Sequence, residues 1–346
     1  MTTAAASFRS WWSTHWFLPV LCGLLVGGTT VGLNLTADWH APLTALVHPG
    51  VTTGAILFLM AWSLETGRLR DSLRAPGPVL VGTLINIGLL PLMAWPISAL
   101  PWPDDFRLGL LITAAVPCTL ATASVWTRKA GGNDAVSLLI TLVTNIAGIV
   151  LTPLWLQLTV ARGAQIAPWP IVQNLALAVL LPTLLGQLCR LPNRGREFAV
   201  RRAGLLSLAA QVLVLTMVAT AAVRGGAALR NQTVWPHPLE GLGLMAVCAG
   251  LHVAAMLLAV IASRLLRFRR EDGIALVFAG SQKTLPIALL LAADPHLIGT
   301  ASYPFITFPM LAFHALQLLI DSAVAQRIAL RSVSAAAAPA SPRPGR

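Results

Sequence analysis

Long apolar runs follow one another along almost the whole chain, separated by short polar joints that carry most of the arginines. A helix needs roughly 20 mostly apolar residues to cross a bilayer. By that measure the pattern predicts ten spans, at 16–33, 46–64, 78–99, 108–127, 135–160, 168–189, 204–223, 242–264, 273–293 and 303–325. The second, fourth and ninth are the weakest, each short or interrupted by Pro and Gly. The interruptions in the fourth and ninth are polar: PCTLATAS over 117–124 and GSQKTLP over 280–286. An unpaired backbone group in hydrocarbon costs several kcal/mol, so irregular backbone at membrane depth has to face protein or a water-filled cavity. Broken helices are also where transporters hold their cargo.

The two interruptions are related by position. Leu18, Pro19, Leu21, Gly23 and Leu25 in WFLPVLCGLL recur as Leu181, Pro182, Leu184, Gly186 and Leu188, at an offset of 163 residues. The same offset carries Leu120 onto Lys283, so a repeat read from one end of each half brings the breaks into register. Ten spans then divide into five and five. With an odd number in each half, the second half enters the membrane opposite to the first and the repeats are inverted. The expected division is a cytoplasmic segment at 1–15, a first repeat at 16–160, a second at 161–331 and a disordered cytoplasmic tail at 332–346.

Composition agrees with membrane residence. The 346 residues are 56% hydrophobic and 10% charged, too few charges to cover a soluble globule of that size. A net charge of +12 would suggest nucleic acid in a soluble protein. Here the placement of the arginines gives a better account, and no nucleic-acid partner is expected. With a cytoplasmic amino terminus, Arg68, Arg70, Arg74, Arg128, Lys129, Arg190, Arg194, Arg196, Arg264, Arg267 and their neighbours fall inside. Arg107, Arg162, Arg224 and Arg230 fall outside, as the positive-inside rule requires. The single cysteines Cys22, Cys118, Cys189 and Cys248 show no disulfide or zinc spacing.

Polar groups at membrane depth carry the candidate chemistry. Lys283 sits about ten residues, or ~15 Å of helix, from either end of its segment, too far for its stem to reach the interface. Ser281, Gln282 and Thr284 surround it, and Pro286 frees a carbonyl one turn earlier. Gly280 and Pro286 are expected to break the ninth span, and Pro117 the fourth. There Thr119, Thr122 and Ser124 form the matching cluster. Ser137, Thr141 and Asn145 lie at i, i+4 and i+8 on one helix face. Asn86 falls mid-span, five residues before Pro91. His252 and His314 read as core or interface residues, Asp321 as the partner of a nearby arginine, and Asp134 as a carboxylate suited to a helix amino terminus.

With these residues the chain resembles the bile acid:sodium symporter superfamily, and within it the SBF-like branch. The resemblance runs from WFLPVL through LFLMAWSLETGRL, TASVWTRKAGGNDA and GSQKTLP. It implies ten helices in two inverted five-helix repeats, a panel and a core domain, and broken fourth and ninth helices crossing in the core. It also implies coupling-ion ligands at Ser124, Ser137 and Thr141, with Asn86 in place of a glutamine and Ser281 and Gln282 near a second ion. Two departures stand out. Ala123 occupies a place where a hydroxyl is expected, and the ninth helix has no glutamate but carries Lys283.

The expected function is secondary active transport of a small organic anion by alternating access, in the bilayer of a bacterial inner membrane, with both termini cytoplasmic. No enzymatic activity and no cofactor are expected. The coupling ion is sodium or a proton, and the Lys283 ammonium is a candidate to stand in for one cation. The alternatives are a metalloid (arsenite-type) efflux permease using Cys118, and a regulatory membrane protein without transport, whose sign would be a packed, dry polar cluster.

Overall fold

The structure, a computed structural model, describes residues 16–36, 42, 44–65, 76–120, 122–160, 167–230, 236–299 and 303–337. The expected segment 1–15, Arg68, Arg70, Arg74, Arg162 and residues 338–346 lie outside the described residues.

The regular structure of the described residues is entirely helical, with no strand among them. The helices are α1 (Phe17–Asn34), α2 (Pro49–Ser63), α3 (Pro76–Ser98), α4 (Asp104–Ala115), α5 (Thr122–Lys129), α6 (Asp134–Val160) and α7 (Pro168–Arg190). They continue as α8 (Asn193–Arg201), α9 (Ala203–Leu229), α10 (Pro238–Leu265), α11 (Arg270–Ser281), α12 (Leu285–Ala292), α13 (Pro295–Ile298) and α14 (Thr307–Ala337). Seven stretches are long and apolar enough to cross a membrane: α3, α6, α7, α9, α10, α11 with α12, and α14. The protein is therefore a polytopic, all-helical membrane protein. The shorter apolar helices α1 and α2, and the interrupted α4 and α5, occupy the other expected spans.

Three local readings are corrected. Helix resumes at Thr122, so Thr122 to Ser124 belong to α5 rather than to the break. Gly280 lies in the last turn of α11, and Pro286 in the first turn of α12, where a missing N–H costs no hydrogen bond. The second break is thus only Gln282 to Thr284. Finally, α14 continues to Ala337, into the stretch read as a disordered tail, because its Ala run favours helix.

Packing sorts the helices into two groups. In one, α1 lies against α9, α2 against α9, and α7 against α2. Glycines permit the close approach: a Cβ on Gly32 would meet the Val223 oxygen at 2.1 Å, and one on Gly186 the Phe58 oxygen at 2.6 Å. In the other group α3, α5, α6, α10, α11 and α14 surround the breaks. Every residue from Asp272 to Ala292 is buried in protein, which is the condition under which irregular backbone survives at membrane depth.

Candidate functional site

Proline positions create the site. Pro91 cannot donate, and α3 is π-helical over Leu84–Leu89, so carbonyls just before the proline lose their helical partners. Two of them are taken up from elsewhere. The Ile87 oxygen accepts from the Trp155 indole at 2.8 Å, and the Asn86 oxygen accepts from Lys283 Nζ at 2.7 Å. Gln282 lies in the break between α11 and α12, where its carbonyl has no helical donor, and it accepts from Asn86 Nδ2 at 2.8 Å. Pro117 follows the end of α4, where the Val116 oxygen accepts from Lys283 Nζ at 2.8 Å.

The two breaks touch directly. Thr284 N–H donates to the Pro117 oxygen at 3.0 Å. Thr119 and Thr122 both donate to Gln282 Oε1 at 2.8 Å, and their hydroxyls also contact each other. Lys283 is 2% exposed and its ammonium has oxygen acceptors only: the Asn86 and Val116 carbonyls and, at 3.4 Å, Asn86 Oδ1. The Lys283 backbone is clamped by one amide, since Gln317 Oε1 accepts its N–H at 2.9 Å and Gln317 Nε2 donates to its carbonyl at 3.0 Å.

On the far side of Gln282 stands a buried carboxylate. Asp321 accepts from Gln282 Nε2 at 2.6 Å and pairs with His252 Nε2 at 3.0 Å, and all three side chains are 0% exposed. The other His252 ring nitrogen faces the Ser281 carbonyl at 3.2 Å. Asp321 therefore does not pair with an arginine as expected. It sits inside the polar cluster. His314, Gln317 and Asp321 recur at i, i+3 and i+7, a single face of α14, and that periodicity is the signal that would have found them.

The α6 stripe faces the fourth-span break. Asn145 Nδ2 donates to the Cys118 carbonyl at 2.9 Å and to the Thr141 carbonyl at 2.8 Å. Thr141 Oγ1 donates to the Ser137 carbonyl at 2.9 Å and contacts Cys118 Sγ at 3.4 Å. Ser124 Oγ, Ser137 Oγ and Asn145 Oδ1 are buried without a hydrogen-bond partner among the described residues. Such orphaned oxygens are costly unless something else satisfies them. Ser281 is back-bonded to the Val277 carbonyl at 2.7 Å, so its hydroxyl proton is already committed. Asp134 lies in the first turn of α6 and pairs with Arg128 at 3.2 Å, while Asn133 Oδ1 caps the Ala135 and Val136 N–H groups.

Among known proteins, the model of the SBF-like CPA transporter family matches residues 15–330. An uncharacterized protein of Pseudomonas aeruginosa is 30% identical over 74% of this chain and 75% of its own. The rice protein named "Probable sodium/metabolite cotransporter BASS4, chloroplastic" is 27% identical over 79% of this chain and 67% of its own. Sodium/bile acid cotransporter 7-A of Xenopus laevis is 22% identical over 80% and 81%. The latter two are transporters by name, not enzymes, and with the family model matching residues 15–330, this chain belongs to the SBF-like CPA transporter family.

Proposed function

We propose that the protein moves a small organic anion across a bacterial inner membrane by alternating access, with ten spans in two inverted repeats, 16–160 and 161–331, and both termini cytoplasmic. The observation that carries this reading is the buried Lys283 ammonium, held by carbonyls of α3 and of the fourth-span break where the two breaks touch. The inverted repeat is supported by packing as well: α1 on α9 and α7 on α2 are the contacts that such a repeat pairs with each other. In this reading α1, α2, α7 and α9 form the panel, and the helices around the breaks form the core.

Ser124, Ser137 and Thr141, with Asn86, Thr122, Asn145, Ser281, Gln282 and Lys283, are proposed as the coupling-ion and substrate residues. The orphaned oxygens of Ser124, Ser137 and Asn145 are the kind of neutral ligand that sodium accepts. Lys283 opposes a sodium ion close by. At about 4 Å and an effective dielectric of 20, the repulsion is on the order of 4 kcal/mol, close to three decades of affinity. The ammonium accordingly stands in for one coupling cation, and coupling is to protons rather than to sodium, although relatives bear sodium in their names.

Burial of the Gln282–Asp321–His252 cluster favours a second reading, a regulatory membrane protein without transport. The same experiment separates the two. The purified chain is screened by thermal shift against organic anions, and each stabilising anion is loaded into proteoliposomes under separate sodium and proton gradients. Transport gives a ligand shift and proton-driven flux. Absence of any shift and flux overturns it in favour of the regulatory reading, and flux with steep sodium dependence and no pH dependence overturns the coupling scheme. Reporter fusions at Arg196 and Arg230 test the topology, with inside and outside expected, and the same side for both overturns it.

A further inference from the structure

At the end of α12 away from Lys283, a cavity of about 270 Å³ opens between α2, α9, α12 and the segment leading into α14. Its walls are mainly apolar, with Met217 from α9 and Leu289 and Ala292 from α12. Its polar side chains are few: Arg224, Tyr303, Thr307, and Thr220, whose proton is spent on carbonyls of its own helix. Arg224 Nη2 donates to the Thr44 carbonyl at 2.8 Å. A guanidinium carries five N–H donors in a planar fork, so this bond leaves an edge of the fork unused among the described residues. The Tyr303 hydroxyl has no hydrogen-bond partner among the described residues, and the lining includes no carboxylate among them. The amino-terminal turns of α2 at Pro49 and of α14 at Thr307 border the cavity, opposed by the carboxyl-terminal turn of α12 at Ala292.

An apolar hollow with one guanidinium, the tyrosine and threonine hydroxyls and, among the described residues, no countercharge selects an anion with an apolar body. The cavity is also mechanically tied to the crossing. Its wall helix α12 is 8 residues long, about 12 Å. At its other end Thr53 Oγ1 lies 3.3 Å from the Pro286 carbonyl and 3.7 Å from the sulfur of Met217 in the cavity wall.

We infer that this cavity recognises a small carboxylate with an apolar body, the free edge of Arg224 and the Tyr303 hydroxyl binding the carboxylate and Met217, Leu289 and Ala292 enclosing the body. The inference rests on the reading of the protein as an organic-anion transporter and places recognition one half-helix away from Lys283.

Tyr303 is the sole tyrosine of the chain, so biosynthetic 3-fluorotyrosine gives one fluorine resonance inside the cavity. The full chain is titrated with phenylacetate, and with phenylethanol and phenethylammonium as neutral and cationic bodies of the same shape. Phenylacetate should shift the Tyr303 signal saturably and the other two should not. Arg224→Gln should weaken binding about ten-fold or more, and Arg224→Lys, which keeps a charge and a donor for Thr44, by less. No saturable shift, equal shifts by all three probes, or undiminished affinity in Arg224→Gln would overturn the assignment. Thermal stabilisation by phenylacetate that persists in Arg224→Gln with a silent Tyr303 overturns this site and leaves the transporter reading standing. Saturable binding at Tyr303 with no anion flux in proteoliposomes does the reverse.

Discussion

Thr119 and Gln282 are 163 residues apart, the offset at which the proposed repeats correspond, and their side chains are hydrogen-bonded at 2.8 Å where the two breaks touch. In the proposed inverted repeat, residues related by its two-fold axis would come together only at that axis, so the pair is the place to test whether the proposed halves move together. A double-mutant cycle tests the pair. Thr119→Val and Gln282→Leu should each cost about 1–3 kcal/mol, because each leaves buried partners unpaired. The double variant should lose less than the sum by roughly 0.5 kcal/mol or more. Melting temperatures of the purified variants give the result, and strict additivity would count against a coupled crossing.

Replacing Lys283 by Ala removes the ammonium but leaves the Asn86 and Val116 carbonyls aimed at its place. Water or a small cation should then enter. Sodium chloride should raise the melting temperature of Lys283→Ala more than potassium chloride does, whereas the unsubstituted chain should not distinguish the salts. An equal response in both proteins would show that the ammonium does not hold a cation's place.

Asp321 balances buried donors from two other helices. Asp321→Ala should cost on the order of 3–5 kcal/mol, since it strands Gln282 Nε2 and the His252 ring. Asp321→Asn keeps an acceptor for Gln282 and should cost less. If the two variants melt together, the acceptor that Asn keeps for Gln282 contributes little and the argument from stranded donors fails.

Asp105, at the start of α4 and outside the expected span, accepts the Phe305 backbone N–H at 2.7 Å. Burial raises its carboxyl above the ordinary 3.8, the Phe305 bond opposes this, and the charge of Asp104 raises it further. A carboxyl with a raised folded value binds its proton more tightly when folded. Its contribution is therefore fully present below pH 3.8 and is lost as the pH climbs through the folded value. At pH 7 Asp105→Asn, which keeps the acceptor for Phe305 without the buried charge, should melt at or above the parent temperature, and Asp105→Ala below it. Melting curves between pH 4 and 7 check both the sign and the order.

The sequence determined the class of this protein and the address of its site. Apolar run length, the placement of Pro and Gly and the repeat of Pro19 and Gly23 at Pro182 and Gly186 are local or periodic properties, and they located the helices and both breaks. Polar residues within a break, such as Lys283, Gln282 and Thr119, were legible because hydrocarbon tolerates them only for a reason. The tertiary structure decided who pairs with whom. Asp321 was assigned to an arginine because chain position places it near the cytoplasmic end of its span, whereas the packing of α14 on α10 turns it toward His252 and Gln282. The carbonyls that hold Lys283 were equally beyond the sequence. A proline announces that a carbonyl loses its partner, but which donor reaches it depends on helices that are distant in the chain and adjacent only in space. Asn86 and Val116, 197 and 167 residues from the lysine they bind, became its ligands where α3 and the two breaks meet.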